Sequence, residues 1–262
     1  MGVKQILVFD SGVGGLSVWD EIRLLRPDLG AIYLMDNARF PYGELAEQAL
    51  IDGACALICQ QVAEAAVDVV VVACNTASTL ILPPLRAALN IPVVGVVPAI
   101  KPAALLAEHG DIGLLATPGT VARPYTRDLI QQFASHCRVR LLGSSKLVAL
   151  AEAKLAGEPI DMSELQQVLE PWLAAPPEVV VLGCTHFPLL RDELQELLGE
   201  QVQLIDSGAA IARRLDQLLQ PPTGGDSPAG QLCVTQINER LTRQQSAFVV
   251  RGFGQPQLVA VC

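Results

Sequence analysis

The chain has 262 residues, 51% of them hydrophobic, and a formal net charge of −9. That length supports one large or two modest domains around a full apolar core. The acidic balance argues against phosphate-backbone binding as the main activity. No apolar run reaches the roughly 18 residues of a membrane span. Met1-Gly2-Val3-Lys4-Gln5 leads straight into a strand, so no signal peptide is expected and the reading is a cytoplasmic protein. Seven cysteines without a Cys-x-x-Cys pair read as reduced thiols rather than a zinc knuckle or redox dithiol. None of Lys4, Lys101, Lys146 and Lys154 has a Schiff-base context, which lowers the case for a pyridoxal enzyme.

The pattern is strand, loop, helix, repeated. Residues 6–9 form an apolar run ahead of Asp10-Ser11-Gly12-Val13-Gly14-Gly15. Leu16, Trp19, Ile22 and Leu25 then recur at helical spacing. A strand is expected at 31–35, a loop at 36–43, a long helix at 44–66 and a strand at 68–73. Pro83-Pro84 should bend or restart the next helix. A strand at 91–97 follows, and Pro98 and Pro102 bracket a crossover into a second unit. There the spacing predicts a strand at 111–116, one helix over 119–133 and a strand at 139–142. Helices are expected at 145–156 and 161–174, then a strand at 178–183. Pro188 fits the first turn of a further helix, ahead of a strand at 202–205 and a helix at 209–219. Residues 220–230 are loop-like. The tail offers strand-like pieces at 231–236, 248–250 and 258–261.

Strands alternating with helices predict an α/β fold with mainly parallel sheets. Two segments look like copies. Val69-Val70-Val71-Val72-Ala73-Cys74-Asn75-Thr76 is echoed by Val179-Val180-Val181-Leu182-Gly183-Cys184-Thr185-His186. Val8-Phe9-Asp10-Ser11-Gly12 is echoed by Leu204-Ile205-Asp206-Ser207-Gly208. The expectation is two pseudo-symmetric domains with the site in the cleft between them: 1–97, then 98–207, with 208–262 returning to complete the first.

Each unit then carries one cysteine at the carboxyl end of a strand, where ligands bind in parallel sheets. Two thiols facing each other across a cleft suit removal of a proton from one face of a carbon and its return to the other. Helix starts just beyond Cys74 and Cys184 would depress the thiol pKa values. Asp10 and His186 could shuttle or orient a proton beside them. For a single cysteine, burial as a space filler is the ordinary alternative; for Asp10 it is a helix cap. Gly12-Val13-Gly14-Gly15-Leu16-Ser17 nearly matches a dinucleotide fingerprint, with Asp36 where a ribose-binding acid would lie. Ser17 in place of the third glycine and the charge of Asp10 count against that reading. Thr117-Pro118-Gly119-Thr120 opens a helix and could hold a carboxylate, or simply cap it. Cys55 and Cys59 read as packing, and no metal site is expected.

Phe9-Asp10-Ser11-Gly12-Val13-Gly14-Gly15-Leu16-Ser17-Val18, Pro41-Tyr42-Gly43, Cys74-Asn75-Thr76-Ala77-Ser78, Gly95-Val96-Val97-Pro98-Ala99 and Gly183-Cys184-Thr185-His186-Phe187-Pro188-Leu189 together resemble the glutamate racemase family. The likeness runs from residue 6 to about 210. Glu44-Leu45-Ala46 departs from it, members more often having a Lys-Ser pair there. The resemblance implies a cofactor-independent racemase acting on L- and D-glutamate and supplying D-glutamate for peptidoglycan, in a homodimer that needs neither nucleic acid nor membrane. It implies that Cys74 takes the proton from D-glutamate and Cys184 from L-glutamate, with Asp10 supporting the first and His186 the second. Ser11, Pro41, Tyr42, Gly43, Asn75, Thr76 and Thr185 would hold the substrate, with Asp10 and His186 beside it and Thr117, Thr120 and Glu152 nearby. An aspartate or hydantoin racemase would share the cysteines, but the loop at 40–43 favours glutamate.

Overall fold

The computed structural model describes residues 3–219, 221 and 229–260. The loop expected at 220–230 lies largely outside the described residues, and the strand expected at 258–261 is instead Phe253–Leu258, ending where the expected one begins.

Two parallel sheets carry the fold. The first has strands β1 (Gln5–Asp10), β2 (Gly30–Met35), β3 (Val69–Val72) and β4 (Val93–Gly95), extended by β9 (Gly230–Val234) and β10 (Phe253–Leu258), in the order β10-β9-β2-β1-β3-β4. The second has β5 (Asp111–Ala116), β6 (Arg138–Gly143), β7 (Val179–Leu182) and β8 (Gln203–Ile205), in the order β6-β5-β7-β8. The order β2-β1-β3-β4 is therefore repeated as β6-β5-β7-β8. This repeat makes β3 and β7 equivalent, as their sequences suggest. It pairs β1 with β5, however, not with β8. The Asp-Ser-Gly echo is a copied turn instead: Gly12 N–H donates to Asp10 at 2.9 Å and Gly208 N–H to Asp206 at 2.8 Å.

The inner strands β3 and β7 are continuous apolar runs because both of their faces are covered. Val69 and Val71 enter the core under helices α1 (Leu16–Leu25), α10 (Gly208–Leu218) and α11 (Glu239–Val249), while Val70 and Val72 enter the core under α2 (Glu47–Glu64) and α3 (Asn75–Ala88). In the second sheet Val179 and Val181 face α4 (Ile100–Leu106) and α6 (Pro124–Phe133), and Val180 and Leu182 face α7 (Lys146–Leu155) and α8 (Met162–Leu173).

The single helix expected over 119–133 is two, α5 (Pro118–Ala122) and α6, because Arg123 before Pro124 takes φ −72°, ψ 143°. A residue ahead of proline is pushed out of the helical region. Conversely, α3 runs through Pro83 and Pro84 without dividing; burial of Ile81, Leu82 and Leu85 outweighs the lost hydrogen bonds. Pro188 opens a single 3-10 turn (Phe187–Leu190), and the α-helix itself, α9, is Arg191–Leu198. The segment expected as a strand at 248–250 is the end of α11. Leu241, Gln244, Ala247 and Phe248 form its buried face, and the Asn238 side chain accepts from Leu241 N–H as its N-cap.

The tail docks through aromatic contacts to the first sheet: Trp19 to Phe253 at 5.4 Å and Tyr33 to Phe248 at 5.2 Å. A buried bidentate ion pair, Arg26 to Asp28 at 2.8 Å, reaches on to Asp216 of α10 and ties the end of α1 to the returning chain. Among the described residues no helix is long and apolar enough to cross a membrane.

Candidate active site

Cys74 and Cys184 stand at equivalent places. Phe9 pairs with Val72 and Leu115 with Leu182, and each cysteine follows two residues later. Both are free thiols, both are 6% exposed, and both line one cleft between the sheets.

On the second-sheet side, His186 Nδ1 lies 3.8 Å from Cys184 Sγ, and His186 Nε2 lies 2.7 Å from Glu152 Oε1. Burial alone would push the imidazole down, but the Cys184 and Glu152 contacts outweigh it and hold His186 well above its ordinary range. Burial would raise Glu152, yet the hydrogen bond and charge of His186 bring it below its ordinary value. The pair is therefore an imidazolium against a carboxylate. Glu152 sits behind His186 rather than on the cleft wall, and also accepts from Val13 N–H at 3.0 Å.

On the first-sheet side, Ser11 Oγ lies 4.0 Å from Cys74 Sγ. The start of α3 supplies a backbone N–H, from Ala77, as expected of a helix start. The net effect is nevertheless opposite to the expected depression. Burial, and after it the Asp10 charge, push the Cys74 thiol far above its ordinary value. Desolvation and a neighbouring anion both disfavour a thiolate, and one helix terminus does not offset them. Asp10 is wholly buried behind the cleft. It accepts from Gly12 N–H and from the Thr185 hydroxyl, each at 2.9 Å, so it bridges the two halves. Its own acidity is weakened by burial, against the lowering influence of His186. It does not cap α1, whose N-cap is Gly15 without a side-chain bond.

The remaining residues expected around a substrate gather as follows. Ser11, Pro41, Tyr42, Gly43, Asn75, Thr76, Thr117, Thr185 and His186 line the cleft. Thr120 lies just behind, its hydroxyl 3.0 Å from that of Thr117 and 3.4 Å from that of Thr76. Among the described residues, Asn75 Oδ1 is the buried side-chain acceptor without a partner. Buried polar atoms are otherwise satisfied, so this one marks a place for a donor from a ligand. The Tyr42 hydroxyl bonds to Asp36, which also accepts from Arg39 at 2.7 Å and from Thr235 at 3.0 Å. Asp36 thus anchors the loop at 40–43 rather than waiting for a ribose.

Gly12 and Gly14 leave room for residues of the other half of the molecule, while Gly15 makes room for Tyr33 and Asp10 of its own half. A Cβ on Gly14 would lie 2.4 Å from His186 Nδ1 and 2.6 Å from Thr185 Oγ1. This close approach, not a pyrophosphate, explains the fingerprint-like sequence. Gly14→Ala should displace His186 and lower kcat/KM roughly 10²-fold, the scale of a 1 Å misplacement, with little change in Tm. Steady-state racemisation and a melting curve check it; unchanged kcat/KM would mean that the loop yields instead.

Sequence reasoning missed Ser145 and Val148, which line the cleft together with Phe40 of the 40–43 loop. Ser145 and Val148 follow β6 at the carboxyl end of the sheet, so strand polarity was the available signal. It also missed Arg123, which is 7% exposed and donates to the Thr76 carbonyl and the Thr79 hydroxyl across the two halves. Among the described residues no group of three or more His, Cys, Asp or Glu side chains is placed to hold a metal ion.

The Asp/Glu/Hydantoin racemase family model matches residues 22–215. Glutamate racemase from Shewanella loihica is 58% identical over 249 residues, covering 94% of each chain. Glutamate racemase from Shewanella halifaxensis is 55% identical over 238 residues, covering 90% of each. The crystal structure of Escherichia coli glutamate racemase in complex with L-glutamate and the activator UDP-MurNAc-Ala superposes with a TM-score of 0.94 at 48% identity, over 100% of both chains. Aspartate racemase from Picrophilus torridus shares the fold at 14% identity, with a TM-score of 0.55. Thiols at repeated positions lining one cleft, and these likenesses, agree: the chain belongs to the Asp/Glu/hydantoin racemase family and is an amino-acid racemase.

Proposed function

We propose that the chain interconverts L- and D-glutamate by a two-base mechanism in which Cys184 and Cys74 work on opposite faces of the α-carbon. The observation that carries it is the placement of both thiols, at equivalent strand ends of the two sheets, in one cleft. In the L-to-D direction the Cys184 thiolate takes the α-proton, and the Cys74 thiol delivers its own to the other face. The enzyme then holds Cys184 as thiol and Cys74 as thiolate, and the reverse reaction restores the start. The imidazolium of His186 lies beside Cys184, its Nδ1 3.8 Å from the sulfur. Cys74 keeps its proton in the starting form because burial and Asp10 oppose ionisation. For D-to-L turnover from that form the Cys74 proton passes to Asp10, made less acidic by burial. The His186 imidazolium gives its Nδ1 proton to the Cys184 thiolate, so that Cys74 becomes the base and Cys184 the acid. A buried, preorganised site is what makes so weak a carbon acid reactive.

Asn75 Oδ1 accepts from the substrate ammonium. The hydroxyls of Thr76 and Thr117, with the main chain at Tyr42-Gly43 and Thr185, donate to the carboxylates. In this reading residues 1–97 and 208–262 form one domain and 98–207 the other, and the product supplies D-glutamate for peptidoglycan. Glutamate as substrate is supported by the names of relatives at 55% and 58% identity.

Racemisation in deuterium oxide tests the two-base scheme. Deuterium should accumulate in the product enantiomer while unreacted substrate stays protiated early in the reaction, because each thiol keeps the proton it abstracts. Proton NMR of each enantiomer reads this directly. Rapid deuterium entry into unreacted substrate would point to a single base.

A further inference from the structure

We infer that Gln244, on the helix of the returning tail, is a positioning residue that acts through Glu152 and His186 on the Cys184 proton transfer. The inference rests on the two-cysteine reading above and extends it to a third residue outward from the sulfur.

α11 presents Leu241, Ala247 and Phe248 to the core of the first sheet, and Gln244 shares that buried face. Gln244 is 2% exposed. A buried amide on an apolar stripe costs stability unless its hydrogen bonds are made. Gln244 Nε2 donates to Glu152 twice, to Oε2 at 2.7 Å and to the main-chain carbonyl at 3.0 Å. No apolar residue could do this, and the contact joins a helix of the first sheet to α7 of the second.

The consequence runs inward. Glu152 Oε2 is occupied by Gln244, and Oε1 receives Val13 N–H at 3.0 Å and His186 Nε2 at 2.7 Å. Gln244 Nε2 and Val13 N–H both donate, so Glu152 is held as an acceptor with its plane fixed through both oxygens. His186 must then present an N–H at Nε2, which leaves Nδ1 aimed at Cys184 Sγ, 3.8 Å away. Without Gln244 only Oε1 stays bonded, so the carboxylate can turn about that oxygen and holds the His186 ring less firmly at its angle to the sulfur. Cys74 lies on the other side of the cleft, with Ser11 and not His186 as its neighbour. The effect of Gln244 therefore belongs to one of the two proton transfers.

That one-sidedness is measurable. Raising the barrier for transfer at Cys184 makes this step more rate-limiting in both directions. The primary deuterium isotope effect with α-deuterated L-glutamate should then rise. The effect with α-deuterated D-glutamate, reporting transfer at Cys74, should fall toward unity. We expect Gln244→Met to lower kcat/KM roughly tenfold, the order of a lost hydrogen bond to a charged group, by the same factor for both enantiomers because the equilibrium is fixed. If Gln244→Met does not fold, Gln244→Asn keeps a polar amide one methylene too short to reach Glu152 and carries the same test. Melting curves of both variants accompany the kinetics. Isotope effects that move alike in the two directions, or not at all, overturn the inference and leave Gln244 as a packing residue. The wild-type enzyme separates this from failure of the two-base reading: fast deuterium entry into unreacted substrate there would remove the reading itself, whatever Gln244 does.

Discussion

Cys74→Ser and Cys184→Ser should each abolish racemisation, by roughly 10²–10⁴-fold or more, the range for loss of a positioned proton-transfer group. A serine hydroxyl is too weak an acid to alternate between charged and neutral forms, although it fills nearly the same space. Both cysteines are free and only 6% exposed, so no disulfide is lost and little volume changes. Folding should therefore persist, with Tm within a few degrees of wild type. Each variant keeps the base on the other face. Cys184→Ser should still exchange the α-proton of D-glutamate with solvent slowly, and Cys74→Ser that of L-glutamate, without inversion. Chiral chromatography with NMR of the α-proton reads both. Near-wild-type racemisation in either variant would sink the two-base scheme.

Asp10→Asn and His186→Asn should be unequal in the two directions, with losses again in the range of roughly 10²–10⁴-fold. Asp10 carries opposing effects on Cys74. Its charge disfavours the thiolate, but its weakened acidity makes it the group able to receive the thiol proton. An asparagine removes the charge and the acceptor together. If the acceptor role governs, Asp10→Asn raises the isotope effect with α-deuterated D-glutamate and lowers it with the L-enantiomer. His186→Asn should do the reverse, because the imidazolium faces Cys184. The ratio of kcat/KM values cannot change, so the isotope effects are the informative readout. An Asp10→Asn enzyme with faster transfer at Cys74 would show that the charge penalty governs, and would remove Asp10 as the acceptor. Equal shifts in both directions for both variants would leave these residues to a shared structural role, such as the Asp10–Thr185 bridge.

Much of this site was readable along the chain because it is built from local signals. A valine run that ends in a cysteine and small polar residues identifies a buried parallel strand and the rim where ligands bind. That holds for Val69–Val72 and Val179–Leu182 alike. The elements read less well were those settled by competition with neighbours. Residues 248–250 carry the β-branched and aromatic character of a strand, yet the helical spacing of Leu241, Gln244, Ala247 and Phe248 against the first sheet makes them the end of α11. Pro83 and Pro84 lie inside a helix because its buried face holds it in place.

The sequence by itself determined the two cysteines, the repeat that relates them, the parallel α/β architecture and the polar residues beside each strand end, since all of these follow from hydrophobic pattern and strand polarity. Only the tertiary structure decided how those groups work. It placed Asp10 against Thr185 from the other half, put Glu152 behind His186, brought Gln244 from the tail to hold Glu152, and turned Asp36 toward Tyr42, Arg39 and Thr235. It also reversed the expected direction of the Cys74 thiol. A helix start is visible in a sequence, but desolvation and a buried anion depend on what the rest of the chain packs around the sulfur, and there those two effects outweigh the helix.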